Sequence, residues 1–157
     1  MNRKEANKRE DKLYQWIKDN LSVEIVAFTR NGGTRFSCAD GVIVKEGEVV
    51  GIVETKPRDL SEKQFIKYGS WLISNQKVEK CREVSEHLRL PFYGLVWLVP
   101  DGVLYLWKIT NDKGEYIVEF ENRVTETWKN IDKTEKVKRV NSYFFIKDAK
   151  RIDKQLK

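Results

Sequence analysis

Asp40, Glu54 and Lys56 are the residues of this 157-residue sequence whose types and spacing point to chemistry. An acidic residue, any residue and a lysine follow one another three times, as Glu10-Asp11-Lys12, Glu54-Thr55-Lys56 and Asp148-Ala149-Lys150, so the tripeptide alone decides nothing. Only the middle copy closes an apolar β-branched run, Val49-Val50-Gly51-Ile52-Val53, where the period of two puts Glu54 and Lys56 on one face and Thr55 on the other. The same face carries Val50 and Ile52, which should be buried, and a carboxylate and an ammonium ending a buried face mark a functional site. A tight turn at Glu46-Gly47 would pair this strand with Gly41–Lys45 and carry Asp40 back beside Glu54. The plainer alternative is that Asp40-Gly41 is a turn dipeptide and that Glu54 and Lys56 form a solvent-exposed pair.

Metal-assisted phosphodiester hydrolysis suits such a cluster. Two carboxylates and the Thr55 carbonyl are the hard oxygen ligands that Mg²⁺ prefers, and they leave coordination positions for water and a phosphate oxygen. A bound metal lowers the pKa of its water and offsets charge in the transition state. Lys56, on the same face as Glu54, can orient the attacking water or sit against the phosphate. Arg58, Lys63 and Lys67 gather near the same place in the sequence and are candidates for phosphate contacts.

The elements that must position these residues follow from periodicity. Leu13, Trp16 and Ile17 at helical spacing predict an amphipathic helix over 3–20, and 23–29 reads as a strand before the break at Asn31-Gly32-Gly33. The hairpin 41–45 and 49–56 follows, ended by Pro57. Phe65, Tyr68 and Leu72, then Cys81, Val84 and Leu88, keep a helical period from Leu60 to Leu90-Pro91, with Ser61 as N-cap and Ser74-Asn75 as the point where one helix becomes two. A second hairpin, 92–99 and 103–109, turns at Pro100-Asp101-Gly102, and 115–120 would add an edge strand. Beyond it, Trp128 and 143–146 are the strong apolar markers.

A chain of this length fits one domain able to bury roughly two thirds of its unfolded surface, and it is too short for a motor with a second domain. With 40% hydrophobic residues it lies far from disorder despite 34% charged ones. No apolar run approaches the roughly 18 to 20 residues needed to cross a bilayer, and no hydrophobic leader follows Met1, so a cytoplasmic protein with no membrane partner is expected. Cys38 and Cys81 have no ligand-spaced neighbours and read as two buried thiols. His87 reads as a helix-end or surface residue, and the five Trp mostly as core, with Trp71 a candidate to stack on a base. The net charge of +6 is uneven: residues 1–20 carry six basic and four acidic side chains and residues 129–157 ten and four, which leaves 21–128 at −2. The basic C-terminal segment therefore either grips a polyanion backbone outside the active site or is a solvated Lys-rich surface.

Ala39-Asp40-Gly41-Val42 followed by Glu54-Thr55-Lys56 resembles the Asp…Glu-x-Lys signature of the PD-(D/E)XK nuclease superfamily. Gln64-Phe65-Ile66-Lys67-Tyr68 is similar to the Gln-x-x-x-Tyr motif of the branch that includes helicase-nuclease exonuclease domains. The stretch from Tyr93 to Leu106 is similar to the nuclease domain of type I restriction motor subunits. The resemblance covers about residues 5–109, and Ala39 stands where the family's name has Pro. It implies a single α/β domain over 1–157 with a restriction-endonuclease-like mixed central β-sheet flanked by helices. It also implies a Mg²⁺-dependent deoxyribonuclease, an endonuclease in form, with Mn²⁺ substituting for Mg²⁺ and DNA as its partner. Asp40, Glu54, Lys56 and Gln64 would be catalytic, and Asp40, Glu54 and the Thr55 carbonyl would hold metal. A first-helix glutamate often adds a ligand in this family, and Glu10, or failing that Glu5, is the candidate. Gln64 would hold the backbone near the motif, and Tyr68 would touch DNA or Lys56 unless it joins Phe65 and Leu72 in an apolar stripe. A homodimer would suit cuts on opposite strands. A non-cleaving DNA-binding module of the same fold, or a subunit that cuts only when a partner protein delivers the DNA, are the alternatives.

Overall fold

The computed structural model describes residues 3–28, 39–128 and 134–153. Helix α1 spans Arg3–Asn20, and three strands follow: β1, Glu24–Ala27; β2, Gly41–Lys45; and β3, Glu48–Arg58. Helix α2 (Glu62–Tyr68), strand β4 (Ser70–Ser74) and helix α3 (Asn75–Leu88) precede the hairpin of β5 (Phe92–Leu98) and β6 (Val103–Lys108). A second hairpin, β7 (Phe120–Trp128) and β8 (Lys136–Phe145), is followed by a short 3-10 turn and strand β9 (Lys150–Ile152).

The main sheet runs β1-β2-β3-β5-β6-β9. Every neighbouring pair is antiparallel except β3 and β5, which are parallel because the chain crosses over through α2, β4 and α3 before β5 begins. The period of two sorts the apolar residues onto both faces. Val53, Leu95 and Leu104 meet Leu13, Tyr14 and Ile17 of α1, while Ile52, Val96 and Tyr105 face Val78 and Cys81 of α3. This is the mixed central sheet flanked by helices that the resemblance implies.

Several details of the chain differ from the periodicity. Pro57 does not end β3, because β2 stops at Gly41 opposite Val53, and the missing N–H of Pro57 falls on that open side while β5 bonds the other. The helix expected from Leu60 is broken by Gly69, which caps α2 in the left-handed region at φ 76°, and Leu72 lies on strand β4. Ser61 does cap α2, accepting from the Gln64 amide, and α3 begins where the Ser74-Asn75 interruption was expected. No strand forms over 115–119, and β7 begins at Phe120. Asn111 Oδ1 accepts from the amides of Lys113 and Glu115 and folds that stretch into a turn held by a single bridge, Thr110 to Tyr116.

The C-terminal third builds a second sheet, β4-β8-β7, that covers the α3 side. Trp71, Ile73 and Phe144 point from it into the core, and Trp71 stacks on Trp107 of β6 with ring centroids 5.3 Å apart. Trp107 Nε1 donates to the Phe145 carbonyl at 2.9 Å, which joins the two sheets. Trp71 is therefore core, not the exposed stacking residue expected. Cys81 is buried, and His87 is exposed at the end of α3, both as expected. The break at 31–33, Cys38, the Trp128 side chain and Lys129, Lys133, Lys154 and Lys157 lie outside the described residues.

Candidate active site

Asp40 reaches β3 because of the β2–β3 hairpin. Glu46 and Gly47 both take positive φ, 52° and 80°, the two-residue turn whose twist matches its flanking strands. The register sets Gly41 against Val53, and the Asp40 amide donates to the Val53 carbonyl at 3.0 Å. Gly41 belongs to β2 and not to a turn. A Cβ there would stand 2.4 Å from the Val26 carbonyl oxygen, so only glycine lets β1 close against this residue.

Asp40 Oδ2 accepts two hydrogen bonds, from the Thr55 amide at 2.7 Å and from Thr55 Oγ1 at 3.1 Å. Thr55 Oγ1 also lies 3.3 Å from the Tyr14 hydroxyl of α1. The ladder alternates, so the Thr55 amide and carbonyl both face the β2 side, beyond the residue where β2 ends. The carbonyl therefore points to the space next to the Asp40 carboxylate.

Glu54 lies on the opposite face of β3, toward α3, with 0% of its surface exposed. Lys56 Nζ is 3.9 Å from Glu54 Oε1, and Lys77 forms an ion pair with Oε2. No described residue gives either oxygen a hydrogen bond of ordinary geometry. Burial first, and then Asp40, push the Glu54 carboxyl up to about 8 against the pull of Lys56 and Lys77. Burial acts on Asp40 in the same sense, but Glu54, the Thr55 amide, Lys77 and Lys56 outweigh it and hold that carboxyl below its usual range. Two adjacent carboxyls are thus driven apart, one toward the neutral acid and one toward the anion, as groups sharing a proton are.

Lys77 is the member that sequence reasoning missed. It occupies the first turn of α3, whose Ser74 cap accepts from the Lys77 amide at 3.3 Å. The positive end of a helix dipole disfavours a cation there, and α3 has no acidic residue in that turn. Burial lowers the affinity of Lys77 for its proton, yet Glu54 and then Asp40 raise it above the usual lysine value. The available signal was a lysine three residues after the serine of the expected Ser74-Asn75 break, but nothing local says that this turn packs over Glu54.

The other candidates are spread around this centre. α1 runs along the end of β3, with Tyr14 at Thr55 and Arg9 ion-paired to Asp59. Half-buried Glu10 is one turn before Tyr14 on the same side, while Glu5 lies more than a turn further away. Among the described residues, no three His, Cys, Asp or Glu side chains gather into a ligand group, so the carboxylates brought together are Asp40 and Glu54. Gln64 is exposed in the first turn of α2, where its Oε1 lies 3.5 Å from Ser61 Oγ. Tyr68 is 67% exposed, which separates it from buried Phe65 and ends the apolar-stripe alternative. Lys63 and Lys67 are exposed on α2, and Arg58 continues the Glu54–Lys56 face of β3 into an open groove that Tyr68 also lines.

Those donors fit a hard divalent cation. Glu54 supplies two buried oxygens without ordinary hydrogen bonds, Asp40 retains Oδ1, and the Thr55 carbonyl faces the same space.

No family model matches the chain, and no curated protein matches it. Among solved structures it is similar to Hjc, a Holliday junction resolvase of the archaeal hyperthermophile Archaeoglobus fulgidus. The two are 16% identical, over 65% of this chain and 75% of that one, with a TM-score of 0.49. A likeness of that size carries no argument about activity.

Proposed function

We propose that this chain is a metal-dependent DNA nuclease of the PD-(D/E)XK type, an endonuclease that hydrolyses phosphodiester bonds. The observation that carries the reading is the buried Glu54 carboxyl, held between Asp40 and two lysines at the end of an otherwise apolar strand face. Burying such a group weakens the fold unless it is used, and stability alone gives no reason to retain it.

Asp40, Glu54 and the Thr55 carbonyl hold Mg²⁺ or Mn²⁺, with Glu10 as the first-helix addition. When bound, the metal makes its water a better nucleophile and offsets charge on the phosphate. Thr55 fixes Asp40 through its amide and hydroxyl, so that Oδ1 is the oxygen presented. Lys56 orients the attacking water, and Lys77 keeps Glu54 ionisable by facing it with a positive charge. Gln64 steadies the backbone of the turn that enters α2, and Arg58, Lys63, Lys67 and Tyr68 contact the DNA. Among the described residues no helix is long and apolar enough to cross a membrane, and a cytoplasmic location is part of the same reading. A homodimer, or a partner protein that delivers the DNA, belongs to it as well.

One observation favours a second reading. The Lys77 ammonium already sits on Glu54, as a cation that replaces a metal would, and this suits a DNA-binding module of the same fold that does not cut. Incubating supercoiled plasmid with the protein in Mg²⁺, Mn²⁺ or EDTA separates the two. The nuclease reading expects nicked and linear DNA with either metal and none with EDTA, and intact plasmid under all three conditions refutes it in favour of the module.

A further inference from the structure

The Glu54–Lys56 face of β3 runs on to Arg58, and Arg58 opens onto a groove of about 390 Å³ lined by Tyr68, Ser70, Trp71, Arg123 and Tyr143. Trp71 is 6% exposed, and its Nε1–H meets no acceptor among the described residues. That nitrogen is itself closed off from solvent, so Trp71 offers the groove ring surface and not a donor. Arg123 lies over the Tyr143 ring at 4.4 Å, its Nε and Nη2 engaged by Glu121 at 3.1 and 2.7 Å. Its guanidinium therefore covers one face of the tyrosine and offers its own outer plane for stacking. Tyr68 stands exposed on α2, and no acidic residue is among those lining the groove.

We propose that this groove holds one unpaired nucleotide of the strand whose backbone runs to Glu54 and Lys56. The proposal rests on the nuclease reading and names its substrate class as a single strand or a locally unpaired segment. Aromatic and guanidinium planes take the face of a base of any sequence, and Arg58 takes the backbone. Arg58 follows Lys56 by two strand residues, about 7 Å, which keeps the groove next to the reacting phosphate. A base still paired and stacked in a duplex offers no free face to such a platform.

The test uses the full chain in EDTA, which separates binding from cleavage. A single-stranded DNA carrying 2-aminopurine, the same strand as RNA, and the blunt DNA duplex are titrated by anisotropy, and base fluorescence is followed at the same time. Tighter binding of a single strand than of the duplex, with quenching as the base stacks, is expected, and the arm that binds more tightly names the sugar. Tyr68→Ala, at an exposed position, should weaken single-strand binding about tenfold or more. Arg123→Gln, also at an exposed position, removes the guanidinium plane and should cost about 3- to 10-fold. Duplex binding should fall less in both variants. Single-strand affinity unchanged in both variants, or a duplex bound as tightly and with the same sensitivity, overturns the proposal. A protein that cleaves plasmid while both variants bind like wild type loses the groove and keeps the nuclease. One that shows the two losses and cleaves nothing keeps the groove and loses the nuclease.

Discussion

Glu54→Gln should make the metal-free protein more stable, increasingly so as the pH rises. In the unfolded chain the carboxyl titrates near its ordinary value of 4.5, whereas burial and Asp40 push it up to about 8 in the folded chain. Below pH 4.5 the acid is protonated in both states, and its ionisation takes nothing from stability. Between 4.5 and about 8 the folded protein retains a proton that the unfolded chain releases, so stability falls with pH, and above 8 both states are ionised and the fall is complete. At about 1.4 kcal/mol per pH unit, the loss across the window is on the order of 5 kcal/mol. Asp40, shifted downward, contributes the opposite slope, but only in the acid range below its usual value. The amide mimics the protonated acid, so the variant should lack the alkaline loss. Urea unfolding in EDTA at pH 5, 7 and 9 reads the difference. The two proteins should nearly coincide at pH 5 and separate by several kcal/mol at pH 9, and Mn²⁺ should restore stability to wild type alone. A gap that stays constant with pH refutes the assignment of the buried proton to Glu54.

Lys77→Gln removes a cation that favours the ionised carboxylate, so the alkaline loss of stability should deepen, as urea midpoints at pH 9 would report. Gly41→Ala places a Cβ against the Val26 carbonyl and should cost about 1–3 kcal/mol in a thermal melt, with weaker Mn²⁺ binding because Asp40 is the neighbouring residue. Trp107→Phe loses the bond to the Phe145 carbonyl and leaves that oxygen unpaired between the sheets, which should cost about 1–3 kcal/mol by the same measurement. Deleting the chain from Lys147 onward should lower the melting temperature, because it removes β9 from the edge of β6 together with the Arg151 to Glu62 ion pair at 2.6 Å.

That last expectation changes how the basic C-terminal segment is understood. Its charge reads from sequence as a grip on DNA, yet Arg151 is committed to Glu62 and Asp153, and Tyr105 also donates to Glu62, which fastens the start of α2 to the sheet. Asp40, Glu54 and Lys56 were legible because a two-residue turn and a period of two are local facts. Strand β4 was not, since Phe65, Tyr68 and Leu72 continue a helical spacing across Gly69, and what makes Ser70–Ser74 extended is pairing with residues 141–145, far along the chain. The start of α3 was legible at Ser74-Asn75, but not that its first turn packs over Glu54, since that depends on β4 and the crossover to β5, and so Lys77 was missed. The β7–β8 hairpin was hidden for a related reason: apart from Val124 and Val140 its exposed positions are charged or polar, and its core residues Phe120 and Phe144 find partners such as Trp71 only from distant parts of the chain.

Lys56→Ala tests the central claim most directly, measured on supercoiled plasmid with Mg²⁺ next to wild type, and with DNA binding followed in EDTA. The water-orienting role predicts that the variant folds and binds DNA like wild type while cleavage falls by a factor of 100 or more, on the order expected for a group acting only in the transition state. Cleavage by Lys56→Ala at the wild-type rate would contradict the assignment of the Asp40, Glu54 and Lys56 cluster as the active site.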